Sequence, residues 1–391
     1  RSKYAILGKK AKEVGEVLYA AFDTPNRMPM MRWKGERTLN GELQEASEEA
    51  LVSEIGSLSL EFTRLSQVTG NPKFFDAIQR IIDTFETQQN MTKLPGLWPT
   101  IVNARDENFT SDSNFAIANS FYESLPEQYM LLGGRSQQSR KMYEKAIETA
   151  KKDLFFRPIT KENKHVLIPG TARANSPNNL ELIPEVQHAA CSVGGMMGIG
   201  SKIFNKPADL ETARRLVDGC VLSYKTMPNG LMPEVFHAVP CQNASSCEWD
   251  DGNGKQEPAS KRQGVHGKNF NKTIAGPGLL KGFTDIQDKR YSLRPEAIES
   301  IFILYRITGD EKLREDAWDI FRAIEKHARS DIGYAALGDI TTLPPTKTDS
   351  MPPFWTAETL KYFYLIFSEP DLVSLDDYVF NTAAHPLKRP K

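Results

Sequence analysis

The sequence predicts an all-α fold, a toroid of helical hairpins, and three observations carry that expectation. Apolar residues recur at spacings of three and four, one connection pattern appears twice, and apolar helices bearing isolated carboxylates alternate with amphipathic ones. The first helix is read from Tyr4, Leu7, Ala11, Val14 and Leu18. Further helices are expected over Glu49–Thr69, Pro72–Thr87, Asn114–Leu132, Gln137–Leu154, Pro184–Phe204, Leu210–Thr226, Pro295–Thr308, Lys312–Ala328 and Thr356–Phe367, with no convincing sheet. The repeated connection runs Leu65, Thr69, Gly70, Lys73, Phe74 and again Leu304, Thr308, Gly309, Lys312, Leu313, with a glycine at the left-handed end of each first helix. Within the pairs, Glu54, Glu299 and Glu358 sit on apolar helices, whereas Lys141 to Lys152 and Lys312 to Lys326 belong to Lys/Glu-rich partners. This alternation implies inner and outer rings. The order starts on an outer-type helix and ends on an inner-type one, so additional N-terminal helices are expected ahead of Arg1, on a further segment of the same protein. The stretches Pro158–Leu182 and Val239–Tyr291 are rich in Gly, Asn, Pro and Ser and are expected as long loops rimming a site.

Composition narrows the class. The 391 residues are 40% hydrophobic and 25% charged, enough for a sizeable core, and we expect residues 1–391 to form a single domain. Forty-nine Lys plus Arg against 50 Asp plus Glu leave a net charge of -1, so no general field would hold nucleic acid or an anionic membrane. No apolar run approaches the roughly 18 residues that span a bilayer. Four sequons, at Asn90, Asn108, Asn243 and Asn271, are candidate glycosylation sites. Cys241 and Cys247 lie in a polar stretch where an exposed pair would be a liability unless bridged, and Cys191 and Cys220 lie on two helix-like segments. These features point to the secretory pathway, in the lumen of the endoplasmic reticulum or Golgi, or to secretion.

Six acids stand out because a core should be apolar. Glu54 shares a face with Leu51, Leu58 and Phe62, inside rather than at the start of its expected helix, where an unpaired charge would cost several kcal/mol. Glu296 and Glu299 follow Leu293-Arg294-Pro295, with proline at a natural first-turn position. Glu123, Glu234 and Glu358 are likewise expected at inner-helix starts or in apolar helices. Single acids of this kind are favoured by the helix dipole alone. Several converging on one axis are how glycosidases arrange acid, base and metal. The six histidines show no zinc spacing, and no GxSxG, P-loop or dinucleotide fingerprint occurs. Cys191-Ser192-Val193-Gly194-Gly195 reads as close helix packing rather than as a nucleophile.

Three motifs then give a resemblance. Leu293-Arg294-Pro295-Glu296-Ala297-Ile298-Glu299-Ser300, Ala357-Glu358-Thr359-Leu360-Lys361-Tyr362 and Val379-Phe380-Asn381-Thr382-Ala383-Ala384-His385-Pro386 resemble those of glycoside hydrolase family 47, the class I α-1,2-mannosidases, in a fungal-like form. The stretch Ser53 to Phe62 and the 29-residue separation of Cys191 and Cys220 are similar as well. The resemblance implies an (α/α)7 barrel with a Cys191–Cys220 disulfide. It implies calcium (Ca2+) and inverting removal of terminal α-1,2-linked mannose from high-mannose N-glycans or glycoproteins. Glu296 matches the candidate general base acting through water, and Thr382 would give carbonyl and hydroxyl oxygens to calcium, which takes oxygen ligands. Glu54, Glu299 and Glu358 match acids holding calcium-bound waters or sugar hydroxyls, and Arg294 and Phe354 would contact mannose. Glu123, His188 and Glu234 are placed with them as substrate contacts. Catalytic acids in an inverting pair stand roughly 6.5–9.5 Å apart. This chain departs from the family at Asn119, which stands in the place of a catalytic-acid aspartate, and at Ala383, which replaces a carboxylate beside Thr382. The family's other catalytic glutamate lies upstream of the segment resembling Lys3 to Thr24. A weakly active or inactive glycan-binding protein is the alternative.

Overall fold

The computed structural model describes residues 3–36, 40–160, 162–241, 247 and 283–390, with the side chain of 284 left aside. The chain groups into two compact units, one of Arg1–Asp153, Ala172–Glu181 and Ser374–Lys391, the other of Leu154–Thr171 and Leu182–Val373.

The first unit holds α1 (Ala5–Tyr19), α2 (Val52–Gly56), α3 (Ser59–Thr69), α4 (Lys73–Gln88), α5 (Ser120–Leu131) and α6 (Gln137–Asp153). The hairpin α3–α4 turns as the repeat demands: Thr69 donates its hydroxyl to the Leu65 carbonyl at 2.7 Å, and Gly70 adopts φ 68°. In the pair α5–α6, nearly every residue of α5 is buried, whereas α6 buries one stripe of Met142, Tyr143, Ala146, Ile147 and Ala150. Beneath the start of α5 lies an aromatic cluster of Phe85, Trp98, Phe109, Phe121 and Tyr122. The Tyr122 hydroxyl accepts from the Trp98 backbone N–H at 2.9 Å, and the Trp98 indole donates to the Phe85 carbonyl at 2.9 Å. Both polar tips are therefore satisfied inside the core.

Helix α1 is turned the opposite way from a core-facing amphipathic helix. Gly15 is its buried residue, beside Leu65 and Phe74, while Tyr4, Leu7, Val14 and Leu18 are exposed. Its small-residue face is the one that packs.

The second unit holds α7 (Ser192–Ile203), α8 (Pro207–Lys225), α9 (Glu296–Thr308), α10 (Glu311–Ala328) and α11 (Leu360–Ile366), the last entered through a π-turn over Trp355–Thr359. The α9–α10 connection repeats the geometry of α3–α4: Thr308 donates to the Leu304 carbonyl at 2.7 Å and Gly309 adopts φ 69°. Asp310 then caps α10 by accepting from the Lys312 N–H at 3.0 Å. Helix α9 is buried nearly all round and α10 along one stripe, as the sequence predicts for paired helices. Helix α7 packs closely on α8 and α9 because its glycines leave room; a Cβ on Gly195 would lie 2.9 Å from the Ile303 side chain and 3.0 Å from the Ser300 backbone. The Gly195 N–H donates to the Ser300 hydroxyl at 2.7 Å, which donates in turn to the Cys191 carbonyl at 2.6 Å. We expect Gly195→Val to lower stability by about 1–3 kcal/mol in urea unfolding, the usual cost of overpacking; an unchanged midpoint would contradict this packing. The disulfides Cys191–Cys220 and Cys241–Cys247 are both formed.

Several boundaries differ from the sequence reading. Sheet is present: short two- and three-stranded sheets recur, and their strands of two to six residues are too brief to leave a period-two pattern. Glu49–Thr69 breaks into a strand (Ala50–Leu51), α2 and α3, so Glu54 falls in the first turn of a short helix rather than inside a long one. Asn114–Ala116 is a strand, and helix begins only at Ser120. Pro184–Phe204 starts with the strand Glu185–Gln187 and a 3-10 turn, His188–Cys191. The Pro158–Leu182 stretch carries strands at Ile168–Pro169, Thr171–Ser176 and Asn179–Ile183 instead of being one loop. Most of Val239–Tyr291, with the sequons Asn243 and Asn271, lies outside the described residues; Asn90 and Asn108 are exposed.

Candidate active site

In the second unit, an antiparallel sheet brings the main cluster together. The strand Val235–Ala238 runs between Glu185–Gln187 and Phe283–Asp288, with Gln187 opposite Val235. His188 leaves the first strand where Glu234 enters the second, and the His188 N–H donates to the Glu234 carbonyl at 2.9 Å. Glu234 is thus at a strand entrance, not at the start of a helix.

The chain then reverses at Leu293, whose φ of 60° is a strained conformation for a bulky side chain. The Leu293 carbonyl is held there by the Thr359 hydroxyl at 2.7 Å. Arg294 follows and donates through Nε to Glu234 Oε2 at 2.5 Å, while the Ser292 N–H donates to Glu234 Oε1 at 3.0 Å. Pro295 is the N-cap of α9, one position earlier than a first-turn proline, and leaves Glu296 and Glu299 in the first turn. Glu296 Oε1 stands 3.5 Å from Arg294 Nη1, and Glu296 Oε2 stands 3.4 Å from Nδ1 of the fully buried His188. Burial alone would raise the Glu296 carboxyl, but His188 and Arg294 outweigh it and hold the group below the usual glutamate range. Glu296 is therefore a half-buried carboxyl biased toward its ionised form, the form a general base needs.

The other residues singled out in this unit lie nearby in sequence and structure. Glu299 accepts from the Tyr362 hydroxyl at 2.6 Å, and the Arg294 guanidinium lies 5.9 Å from the Phe354 ring centroid. Glu358 is half-buried on the π-turn.

In the first unit, Asn119 is the N-cap of α5, with extended backbone and its Oδ1 accepting from the Phe121 N–H at 2.9 Å. Glu123 lies in the first turn of the same helix. Glu54 is half-buried in the first turn of α2, which packs against α5. Thr382 lies at the tip of the turn joining the antiparallel strands Tyr378–Phe380 and Pro386–Lys388. Asn381 braces that turn: its Oδ1 accepts from the His385 N–H at 2.7 Å, and its Nδ2 donates to Glu61 at 2.7 Å. Thr382 is exposed and its hydroxyl has no hydrogen-bond partner among the described residues, so its two oxygens suit a hard cation. No cluster of three or more His, Cys, Asp or Glu with metal-binding geometry occurs among the described residues.

Four residues that the sequence reading did not single out take part. Asn381 and Tyr362 sit inside quoted motifs. Tyr224 and Tyr291 are fully buried around His188, with ring centroids 5.6 and 6.0 Å from it. A tyrosine on an apolar helix face needs a partner for its hydroxyl, and that is the signal Tyr224 carries.

The site is thus built on apolar helices opening on acids, with a half-buried carboxylate between arginine and histidine, an arrangement suited to a glycosyl hydrolase. The chain belongs to glycosyl hydrolase family 47, whose sequence profile matches residues 1–389. It is 30% identical over 396 residues to mannosyl-oligosaccharide alpha-1,2-mannosidase IA of Spodoptera frugiperda, covering 98% of this chain and 52% of that protein. It is 31% identical over 385 residues to human mannosyl-oligosaccharide 1,2-alpha-mannosidase IB, covering 97% and 52%. The chain therefore spans about half the length of these curated relatives. The alpha-1,2-mannosidase structure from Trichoderma reesei superposes with a TM-score of 0.80 at 26% identity, covering 100% of this chain and 76% of that one. A family 76 mannosidase from Bacteroides thetaiotaomicron, TM-score 0.51 at 11% identity, shares the fold alone.

Proposed function

We propose that the protein removes terminal α-1,2-linked mannose from high-mannose N-glycans with inversion, residues 1–391 forming a single catalytic-type domain of an (α/α)7 barrel. The observation that carries this reading is Glu296, a half-buried carboxylate at the start of α9 with His188 Nδ1 at 3.4 Å on one oxygen and Arg294 Nη1 at 3.5 Å on the other. It would draw a proton from a water that attacks the anomeric carbon, as inverting glycosidases do. Arg294, fixed by Glu234 and flanked by Phe354, would hold the sugar through hydrogen bonds and ring contact. Glu299, Glu358, Glu54 and Glu123 would take sugar hydroxyls or ordered waters. Calcium would be held by the carbonyl and hydroxyl of Thr382 with water completing the shell, and when bound it supplies a fixed positive charge for oxygen ligands. With Ala383 adding no carboxylate, that site would bind calcium weakly.

Two disulfides and the exposed sequons Asn90 and Asn108 support a secretory-pathway or secreted location with N-glycans at these positions. No helix among the described residues is long and apolar enough to cross a membrane.

Inversion is tested by following the first product by proton NMR: β-mannose should appear before α-mannose. Initial release of α-mannose would overturn the inverting mechanism. A second reading, glycan binding with little or no turnover, is favoured by Asn119, because an amide cannot transfer a proton as the aspartate in its place would.

A further inference from the structure

Buried polar groups with no role in the proposed reaction lie behind His188. The imidazole is fully enclosed, its Nε2 lies 2.7 Å from the Tyr224 hydroxyl, and its Nδ1 faces Glu296 Oε2 at 3.4 Å. We propose that Tyr224 is a positioning residue of the site: its hydroxyl donates to His188 Nε2 and so holds the ring as the Nδ1–H tautomer, with its single N–H directed at Glu296. This rests on the reading of Glu296 as the base.

Three features support the assignment. Neither Glu296 Oε2 nor His188 Nδ1 has a hydrogen-bond partner among the described residues, and since an ionised carboxylate only accepts, a proton on Nδ1 is the arrangement that would serve both; a neutral ring then leaves Nε2 as an acceptor. The Tyr224 phenol keeps its proton to donate, because full burial, then the adjoining Tyr291 and then Glu296 and Glu234 push its ionisation well above that of a free tyrosine. Other charged or titratable groups around the ring are Glu234, Arg294 and Tyr291, and Arg294 already supplies a cation beside Glu296. The third feature is covalent. Cys191 lies three residues after His188 and Cys220 four before Tyr224, so the disulfide between them ties together the two segments that present the histidine and the tyrosine. The tyrosine sits on α8 and the histidine on the 3-10 turn before α7, and this bridge holds their relative register.

The test is 15N NMR of histidine-labelled protein, with the His188 signals identified as those absent from His188→Gln. The expected spectrum has one protonated nitrogen, Nδ1, and one unprotonated nitrogen, Nε2. In Tyr224→Phe, which keeps the ring and loses the hydroxyl, that single species should give way to a mixture containing the Nε2–H form. An Nε2–H or doubly protonated ring in the unaltered protein would overturn the proposal, and so would a Tyr224→Phe spectrum identical to the original. The unaltered protein decides the tautomer even if the variant fails to fold. Mannose release is measured alongside. A lost tautomer preference with release unaffected by Glu296→Gln would sink the base assignment and leave the tyrosine's effect on the ring intact. An unchanged tautomer with release abolished by Glu296→Gln would do the reverse.

Discussion

Asn119→Asp should raise mannose release by about 10²–10⁴-fold, the usual contribution of a positioned general acid or base. The fold should not notice the change. Asn119 acts structurally through one hydrogen bond, Oδ1 accepting from the Phe121 N–H, and aspartate caps a helix as well as asparagine does. Its added negative charge also falls at the positive end of α5. An unchanged unfolding midpoint with a large gain in release would identify the amide as the limit on turnover and assign the natural protein to glycan binding with slow hydrolysis. A well-folded variant with no gain would show that Asn119 serves as a cap alone.

Glu296→Gln should have the largest opposite effect, a loss of about 10²–10⁴-fold in whatever release the protein shows, with mannobiose binding retained. The pH dependence follows from the sign of the shift. Burial would favour the protonated acid, but His188 and Arg294 hold the folded-state carboxyl below its ordinary value. The ionised base therefore persists on the acid side of about pH 4.3, the value of a free glutamate, and is lost only as pH falls through the lower folded-state value. The stability this pairing contributes is likewise present above the unfolded value and disappears over the same acid range. Replacing Arg294 by Met removes the guanidinium beside Glu296 and leaves only His188 against the carboxylate, so the acid limb of the rate profile should move to higher pH. A limb that stays in place would contradict the electrostatic account of Glu296.

The repeat of threonine, glycine and lysine at Thr69-Gly70-Lys73 and Thr308-Gly309-Lys312 was readable in the sequence because its physics is local: a threonine back-bond, a left-handed glycine and a new helix start. The buried glycines of α7 were readable for a similar reason, since several glycines in a helical apolar run have few uses other than close approach. The short strands were not, because two or three paired residues are stabilised by what they join rather than by their own pattern. The strand pairing Gln187 with Val235 is the device that sets His188 against Glu234, and it depends on contacts 48 positions apart. Helix α1 shows the other limit. Periodicity gives an apolar stripe but not the face that packs, and there Gly15 rather than the stripe meets Leu65 and Phe74. At the candidate site, Glu296 and Glu299 were visible as acids opening an apolar helix, whereas a role for Arg294 came only from the motif resemblance. Tyr224 signalled only that its hydroxyl needs a partner, and Tyr291 gave no signal; His188 as that partner follows from the fold.

The most direct test of the account is to offer the protein α-1,2-linked mannobiose and a high-mannose glycan, with calcium and with a chelator, and to measure mannose release together with binding by calorimetry. The account predicts saturable binding of both sugars and release that falls on chelation, slow in the natural protein and fast in Asn119→Asp. Absence of both release and binding, with calcium present and the fold intact, would contradict the sugar site itself.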